Sequence, residues 1–183
     1  MVFCRNFKDC AECFQYFKCQ LKKQMYYPPS APPVSKFRLV DLFTSATEAS
    51  VKENIIKNFT KPHGCCRVVI GTIAFGMGLD SPNVRKVIHW GPSSDIESYV
   101  QETRQVGRDG KFALAILYFA EDELSKARHV TEDMIAYAKN DEKCRREVLF
   151  SGFDQTGDAV QISSKCVCCD ICQAICTCLN CVK

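Results

Sequence analysis

The sequence predicts an α/β protein, a parallel sheet with helices on both faces, followed by a small helical, cysteine-rich subdomain. Three observations predict it. Short β-branched runs alternate with amphipathic stretches up to about residue 120, the pattern of strands joined by right-handed helical crossovers. The strand runs are apolar along their length, as expected of strands covered on both sides. From Glu121 the strand signal stops and cysteines become dense after Cys144. The expected division is residues 1–122 and residues 123–183.

Val2-Phe3-Cys4 reads as the first strand. Residues 8–24 follow as a helix, with Ala11, Phe14, Phe17 and Leu21 on one face. Tyr26–Pro33, YYPPSAPP, is a connector, because proline suits neither a helix interior nor an inner strand. Phe37–Phe43 is the next strand. Ser50 and Glu53 are spaced as a capping box for a helix that buries Val51, Ile55 and Phe59. Val68–Thr72 and Val84–Trp90 are strands, separated by the glycine-rich turn Phe75-Gly76-Met77-Gly78, in which Asp80 is the one carboxylate. Pro92 stops the second of these strands. Ser94 with Glu97 predicts another capping box, and Ile96, Tyr99, Val100 and Val106 give that helix an apolar stripe. Gly107 is the expected C′ residue, which presents Arg108 and Asp109 at the helix end. Ala113–Phe119 is a final buried strand. Ligand loops in such a sheet lie at the carboxyl ends of strands, so the 75–80 turn and the Arg108 segment are expected at one edge. Beyond the sheet, 121–140 and 142–149 read as two helices joined by the polar turn Lys139-Asn140-Asp141.

The totals exclude several classes. With 183 residues, 46% apolar and 25% charged, the chain suits one sizeable domain and an appendage. No apolar run approaches the ~20 residues that cross a bilayer, and the start, MVFCRNFKDC, has no signal-peptide core. Neither a membrane partner nor secretion is expected. A net charge of +3 does not by itself demand a nucleic-acid partner.

Fourteen cysteines are many. Without a secretory signal, metal binding is the preferred reading of the dense group over a disulfide framework. Cys144 is followed after twenty-one residues by Cys166-x2-Cys169-x2-Cys172. Tetrahedral zinc takes four thiolates, and CxxC loops supply them in close pairs. The expected zinc ligands are Cys144, Cys166, Cys169 and Cys172. Cys168 adjoins Cys169 and could replace a neighbour; Cys176, Cys178 and Cys181 are unassigned. Cys4, Cys10, Cys13, Cys19, Cys65 and Cys66 read as core or surface thiols. Cys10-x2-Cys13 lies on a helix, without partner ligands nearby in sequence.

Residues 67–110 carry a more specific signal. AFGMGLDSPNVRKVIHW resembles motif V, and SYVQETRQVGRDG resembles motif VI, of the second motor domain of RecQ-family ATP-dependent DNA helicases. VFCRNFKDCAE resembles motif IV, and CRREVLF…CVCCDIC resembles the zinc-binding section that follows the motor domain. The resemblance implies a RecA-like fold for the sheet, a helical zinc-binding subdomain after it, and a partial 3′–5′ DNA helicase acting in repair and recombination. It implies that Arg108 is the arginine finger, that Asp80 contributes to ribose or neighbouring nucleotide contacts, and that Gln101 lies on the cleft side. It also implies that Phe75, Gly76, Met77, Gly78 and Leu79 couple nucleotide state to the bound strand. Motif VI departs from the family's SYYQETGRAGRDG: its first arginine is Gln105 here, and Arg104 stands one residue, a rotation of ~100°, too early. Gln105 keeps a donor at the nucleotide but loses the charge and the fork.

The 183 residues contain no GxxxxGK[ST] loop and no DExH run. ATP and Mg are therefore expected only together with a first RecA-like domain, in cis or in trans, and no ATP hydrolysis is expected from the chain alone. The implied partner is DNA, single-stranded or forked, and the implied location is the nucleus in a eukaryote, otherwise the cytoplasm. The alternative reading is a non-catalytic, zinc-containing module for nucleic-acid binding or interaction. A DEAD-box RNA helicase half fits less well, given the cysteine knuckle and the AFGMGLD form.

Overall fold

A computed structural model describes residues 1–61, 63–72, 83–127, 129–151 and 167–177. Five strands, β1 (Val2–Cys4), β2 (Val40–Phe43), β3 (Val68–Gly71), β4 (Lys86–Trp90) and β5 (Leu114–Tyr118), form one sheet in the order β2-β3-β1-β4-β5. All four pairings are parallel. The helices are α1 (Phe7–Leu21), α2 (Ala49–Thr60), α3 (Ile96–Thr103), α4 (Glu121–Lys126), α5 (Glu132–Lys139), α6 (Arg145–Phe150) and α7 (Asp170–Ala174).

Alternation along the strands sends successive side chains to opposite faces. Val2, Cys4 and Ile70 pack with Cys10, Phe14 and Phe17 of α1 on one face. Phe3, Val69 and Val87 pack with Val51, Ile55 and Phe59 of α2 on the other. That second face continues through His89, which lies against Tyr99 of α3. Tyr99 joins Ile96 and Leu117 in a third apolar cluster with Met134 and Tyr137 of α5 and Val148 and Leu149 of α6. Helices α5 and α6 thus pack on α3 and β5. No helix of the described residues is long and apolar enough to cross a membrane.

Several expectations shift. The helix expected to open at Ser94 is capped one residue later: the Asp95 carboxylate accepts from the Ser98 amide at 2.7 Å, while Ser94 donates to Asp95. A full negative charge at the helix N-terminus completes the cap better than a hydroxyl. Ser50 caps nothing, because its hydroxyl donates to Glu48 at 2.8 Å. The 121–140 stretch is two helices, α4 and α5, interrupted around Ala127–Thr131. The strand expected over Phe37–Phe43 begins only at Val40, because a 3-10 turn at Ser35–Phe37 takes its first residue. The expected buried strand β5 is an edge, with Leu114 41% and Tyr118 51% exposed; its apolar run does not mark burial on both sides.

Candidate functional site

The Arg108 segment is built by a tight turn after α3. The left-handed backbone at Gly107 (φ 66°) and Gly110 (φ 76°) suits glycine. The Gly107 amide donates to the Val84 carbonyl at 3.1 Å, and the Gly110 amide donates to Gly107 at 2.9 Å. Arg85 grips Asp109 with both guanidinium ends, one of them at 2.8 Å, and this holds the Asp109 carboxyl down to about 2. Arg108 is exposed and oriented. Its Nη2 donates to Gln105 Oε1 at 2.8 Å and its Nε to the Arg104 carbonyl at 3.3 Å. Gln105, expected to face a nucleotide as a donor, is 5% exposed and accepts from Arg108. Gln101 is exposed on α3.

Because Gly107 bonds to Val84, which leads into β4, Arg108 stands at the amino end of that strand. The expectation of a carboxyl-end position for this segment is corrected: α3 runs back across the sheet and delivers its end to the opposite edge. Phe75, Gly76, Met77, Gly78 and Asp80 lie outside the described residues. The segment that follows them, at Val84 and Arg85, is bonded directly to the arginine turn.

Spacing alone did not single out a buried polar group beside this helix. Glu102, 3% exposed, accepts from the Ser93 hydroxyl at 2.7 Å. Its Oε2 lies 2.9 Å from His89 Nε2. This is a close contact rather than an aligned hydrogen bond, since neither His89 ring nitrogen has a hydrogen-bond partner among the described residues. The His89 ring stacks on Phe3 at 5.6 Å and tilts against Tyr99 at 4.6 Å. A cavity of about 80 Å³ opens here, at the carboxyl ends of β1 and β4, with Arg5, His89, Ser93, Glu102 and His129 in its lining. The signal was present: Glu102 lies three residues after Tyr99 and four before Val106, on the helix's own apolar stripe.

The second site is a knot of thiols. The Sγ atoms of Cys144, Cys168, Cys169 and Cys172 all lie within 4.8 Å of one another, with Cys144 and Cys168 at 3.5 Å. Four thiolates at 2.3 Å from a tetrahedral zinc stand about 3.8 Å apart, so the cluster fits that ion with small adjustment. Cys144 caps α6; Cys169 caps α7, its sulfur accepting from the Cys172 amide at 3.4 Å. Burial and the neighbouring thiols push Cys172 up to about 12 and Cys168 to about 11. Cys144 is held low: burial raises it, but the Glu147 and Arg146 amides and the Cys168 and Cys172 thiols outweigh that. Cys168 and Cys172, whose ionisation burial and the neighbouring thiols suppress, are in the arrangement a cation relieves. Arg145 fixes the knuckle to the helices. It pairs with Asp170 at 2.5 and 2.8 Å, and its guanidinium lies 5.9 Å from the Tyr137 ring centroid. Three expected ligands, Cys144, Cys169 and Cys172, therefore meet. Cys168 is the fourth sulfur of the described cluster, and Cys166 lies outside the described residues, as do Cys178 and Cys181.

Fold and site together define a helicase motor lobe: the family described as the helicase conserved C-terminal domain matches residues 1–110, and the RecQ zinc-binding family matches residues 97–173. The chain belongs to the RecQ family of helicases, as part of its C-terminal region. It is similar to the ATP-dependent DNA helicase Q-like SIM of Arabidopsis thaliana, at 35% identity over 58% of the chain and 13% of that protein. It is similar to the ATP-dependent DNA helicase Q1 of Mus musculus, at 34% over 55% of the chain and 17% of that protein. The RecQ-like DNA helicase blm-1 of Caenorhabditis elegans matches at 32% over 58% of the chain and 12% of its length. The chain thus spans less than a fifth of each of these relatives. Among solved structures, S. cerevisiae Dbp5 bound to RNA and ADP BeF3 superposes with a TM-score of 0.52 at 16% identity, over 70% of this chain and 31% of that one. That likeness establishes the RecA-like fold.

Proposed function

We propose that this chain supplies the arginine side of the ATP cleft of a RecQ-like, ATP-dependent 3′–5′ DNA helicase, with part of the DNA track and a zinc-bearing helical subdomain beginning near residue 123. One observation carries the reading: Arg108 is exposed at the end of α3, with its guanidinium set by Gln105 at 2.8 Å and the Arg104 carbonyl at 3.3 Å. A guanidinium so placed would stabilise charge on the transferring phosphate, an effect of ~10³–10⁵ in rate. Asp80 and Gln101 would add nucleotide contacts, and the Phe75–Gly78 turn would couple nucleotide state to the strand. With no GxxxxGK[ST] loop in the 183 residues, ATP and magnesium bind only when a first motor domain is present, in cis or in trans. DNA as substrate, roles in repair and recombination, and a nuclear location follow if the chain acts as its eukaryotic relatives do.

The proposed zinc ligands are Cys144, Cys166, Cys169 and Cys172, with Cys168 competing for the place of Cys166. Measuring bound zinc in Cys166→Ser and Cys168→Ser separates these two; the true ligand is the one whose loss empties the site.

The experiment for the whole reading is complementation with a separately made first lobe from a relative. DNA-stimulated ATP turnover should appear only in the mixture and fall by about 10³ or more with Arg108→Ala. A second reading, a non-catalytic module, is favoured by Gln105: the position that carries an arginine in the family is here a buried amide. DNA binding without turnover in the mixture would select it, and turnover by the chain alone would refute both.

A further inference from the structure

Strand β5 pairs with β4 alone among the described residues. The Leu114 amide donates to the Arg85 carbonyl at 2.9 Å, and the Tyr118 carbonyl accepts from the Gly91 amide at 2.8 Å. The even-numbered residues of β5 therefore bond inward. Ala115 and Leu117 turn their backbone groups away from the sheet, and no described backbone group bonds to them. Residues 113–119 read ALAILYF, without a charge, proline or glycine. Edge strands are ordinarily broken by such residues, and an unbroken apolar edge is a template for another strand.

The sheet face beside this edge is open as well. On the α1 side the apolar cluster reaches Ile88 and goes no further across the sheet. Beyond it Trp90, Leu114 and Tyr118 are exposed. Trp90 stands level with Tyr118 in the register, and their ring centroids lie 6.1 Å apart.

We propose that β5 is a homodimer interface, pairing antiparallel with β5 of a second copy about a twofold axis through Ile116. In that register Ala115 and Leu117 exchange backbone bonds with Leu117 and Ala115 of the second copy. Leu114 falls opposite Tyr118 of the second copy, so the two open faces join. Charge selects this occupant. The amino flank of β5 carries exposed Lys111, which is 3.9 Å from an Asp109 already gripped by Arg85. The carboxyl flank carries exposed Glu121 and Asp122. Antiparallel pairing sets each flank against its opposite, twice by symmetry. Parallel pairing would set like against like. Each copy uses up its β5 edge, so assembly through it stops at two.

The test uses the full chain, reduced and zinc-loaded, in sedimentation velocity over a concentration series. A monomer–dimer equilibrium is expected. Lys111→Glu, and Glu121→Lys with Asp122→Lys, should each weaken it about tenfold or more, because like charges then meet at both flanks. An equimolar mixture of the two variants should dimerise again, since one flank contact is reversed, the other native, and both attract. Ala115→Pro removes an outward amide and leaves the inward bonds; it should give monomer, with hydrogen exchange in β1 and β3 reporting an intact sheet. The exposed charge variants decide the matter if that variant folds poorly. Carbodiimide treatment of mixed isotopically light and heavy chain should join Lys111 of one copy to Glu121 or Asp122 of the other. A monomer at every concentration, a dimer indifferent to the reversals, or a mixture no tighter than its components overturns the proposal.

Discussion

The arginine turn and the cysteine cluster are held in place by different means. Around Arg108 the backbone supplies the order. Gly107 is bonded to Val84, Asp109 is gripped by Arg85, and Gln105 orients the guanidinium. The polar groups named there have their partners within the chain. Around Cys144, Cys168, Cys169 and Cys172 the partners are other thiols, and crowding pushes Cys172 up to about 12 and Cys168 to about 11. The helices that carry them are short, six residues for α6 and five for α7; such helices do not persist on propensity alone. One site is finished by folding, whereas the other gathers a donor set that an ion would complete.

Removing zinc should show this difference most strongly. A chelator should cost the cysteine region on the order of 10 kcal/mol, by analogy with structural zinc sites. Hydrogen exchange should rise over 145–150 and 170–174 while β1, β3 and β4 keep their protection. Equal loss of protection in the sheet would break the contrast. Next in size is Glu102→Ala, which strands the Ser93 hydroxyl and removes the neighbour of a His89 that is 1% exposed. It should lower stability by about 3 kcal/mol, read as a shift in the urea midpoint at constant slope, with zinc retained. Arg145→Ala should cost about 1 kcal/mol, because Asp170 is 64% exposed and its pair is screened. Its sharper signature is faster zinc exchange with a colorimetric chelator.

The smallest effect concerns acid. Hydrogen bonding to Arg85 holds Asp109 down to about 2 from its ordinary 3.8, and Arg145 likewise lowers Asp170. A depressed carboxyl contributes stability that is complete above its unfolded value and is lost as pH falls through the folded one. The Arg85 pair should therefore persist to about pH 3.8 and fade towards about 2, well after protonation of the thiolates has released zinc. An NMR titration of the Asp109 carboxyl in the zinc-free chain checks this; an ordinary midpoint would show that the pair does not form.

Much of this arrangement was legible in the residues. The β-branched runs gave the strands to within two residues, except β2, which starts three residues later than expected, after a 3-10 turn at Ser35–Phe37. The motif resemblance named the arginine, and cysteine spacing named three of the four sulfurs now found together. Two things were not legible, for physical reasons. Apolar pattern cannot separate an inner strand from an edge such as β5, because neighbours across the sheet are chosen by topology. Contacts between distant segments leave no local trace: Arg85 beside Asp109 follows from how α3 returns to the amino end of β4. Glu102 was readable, as a charge on an apolar stripe, but a stripe is usually read for what is apolar in it.

The position of β1 has a consequence for how the protein is made. Its three residues form the middle of the sheet, with Val2 opposite Ile70 on one side and Ile88 on the other. Both neighbours lie more than sixty residues further along the chain. Such long-range closure slows assembly, and loss of these three residues would part the sheet into two halves.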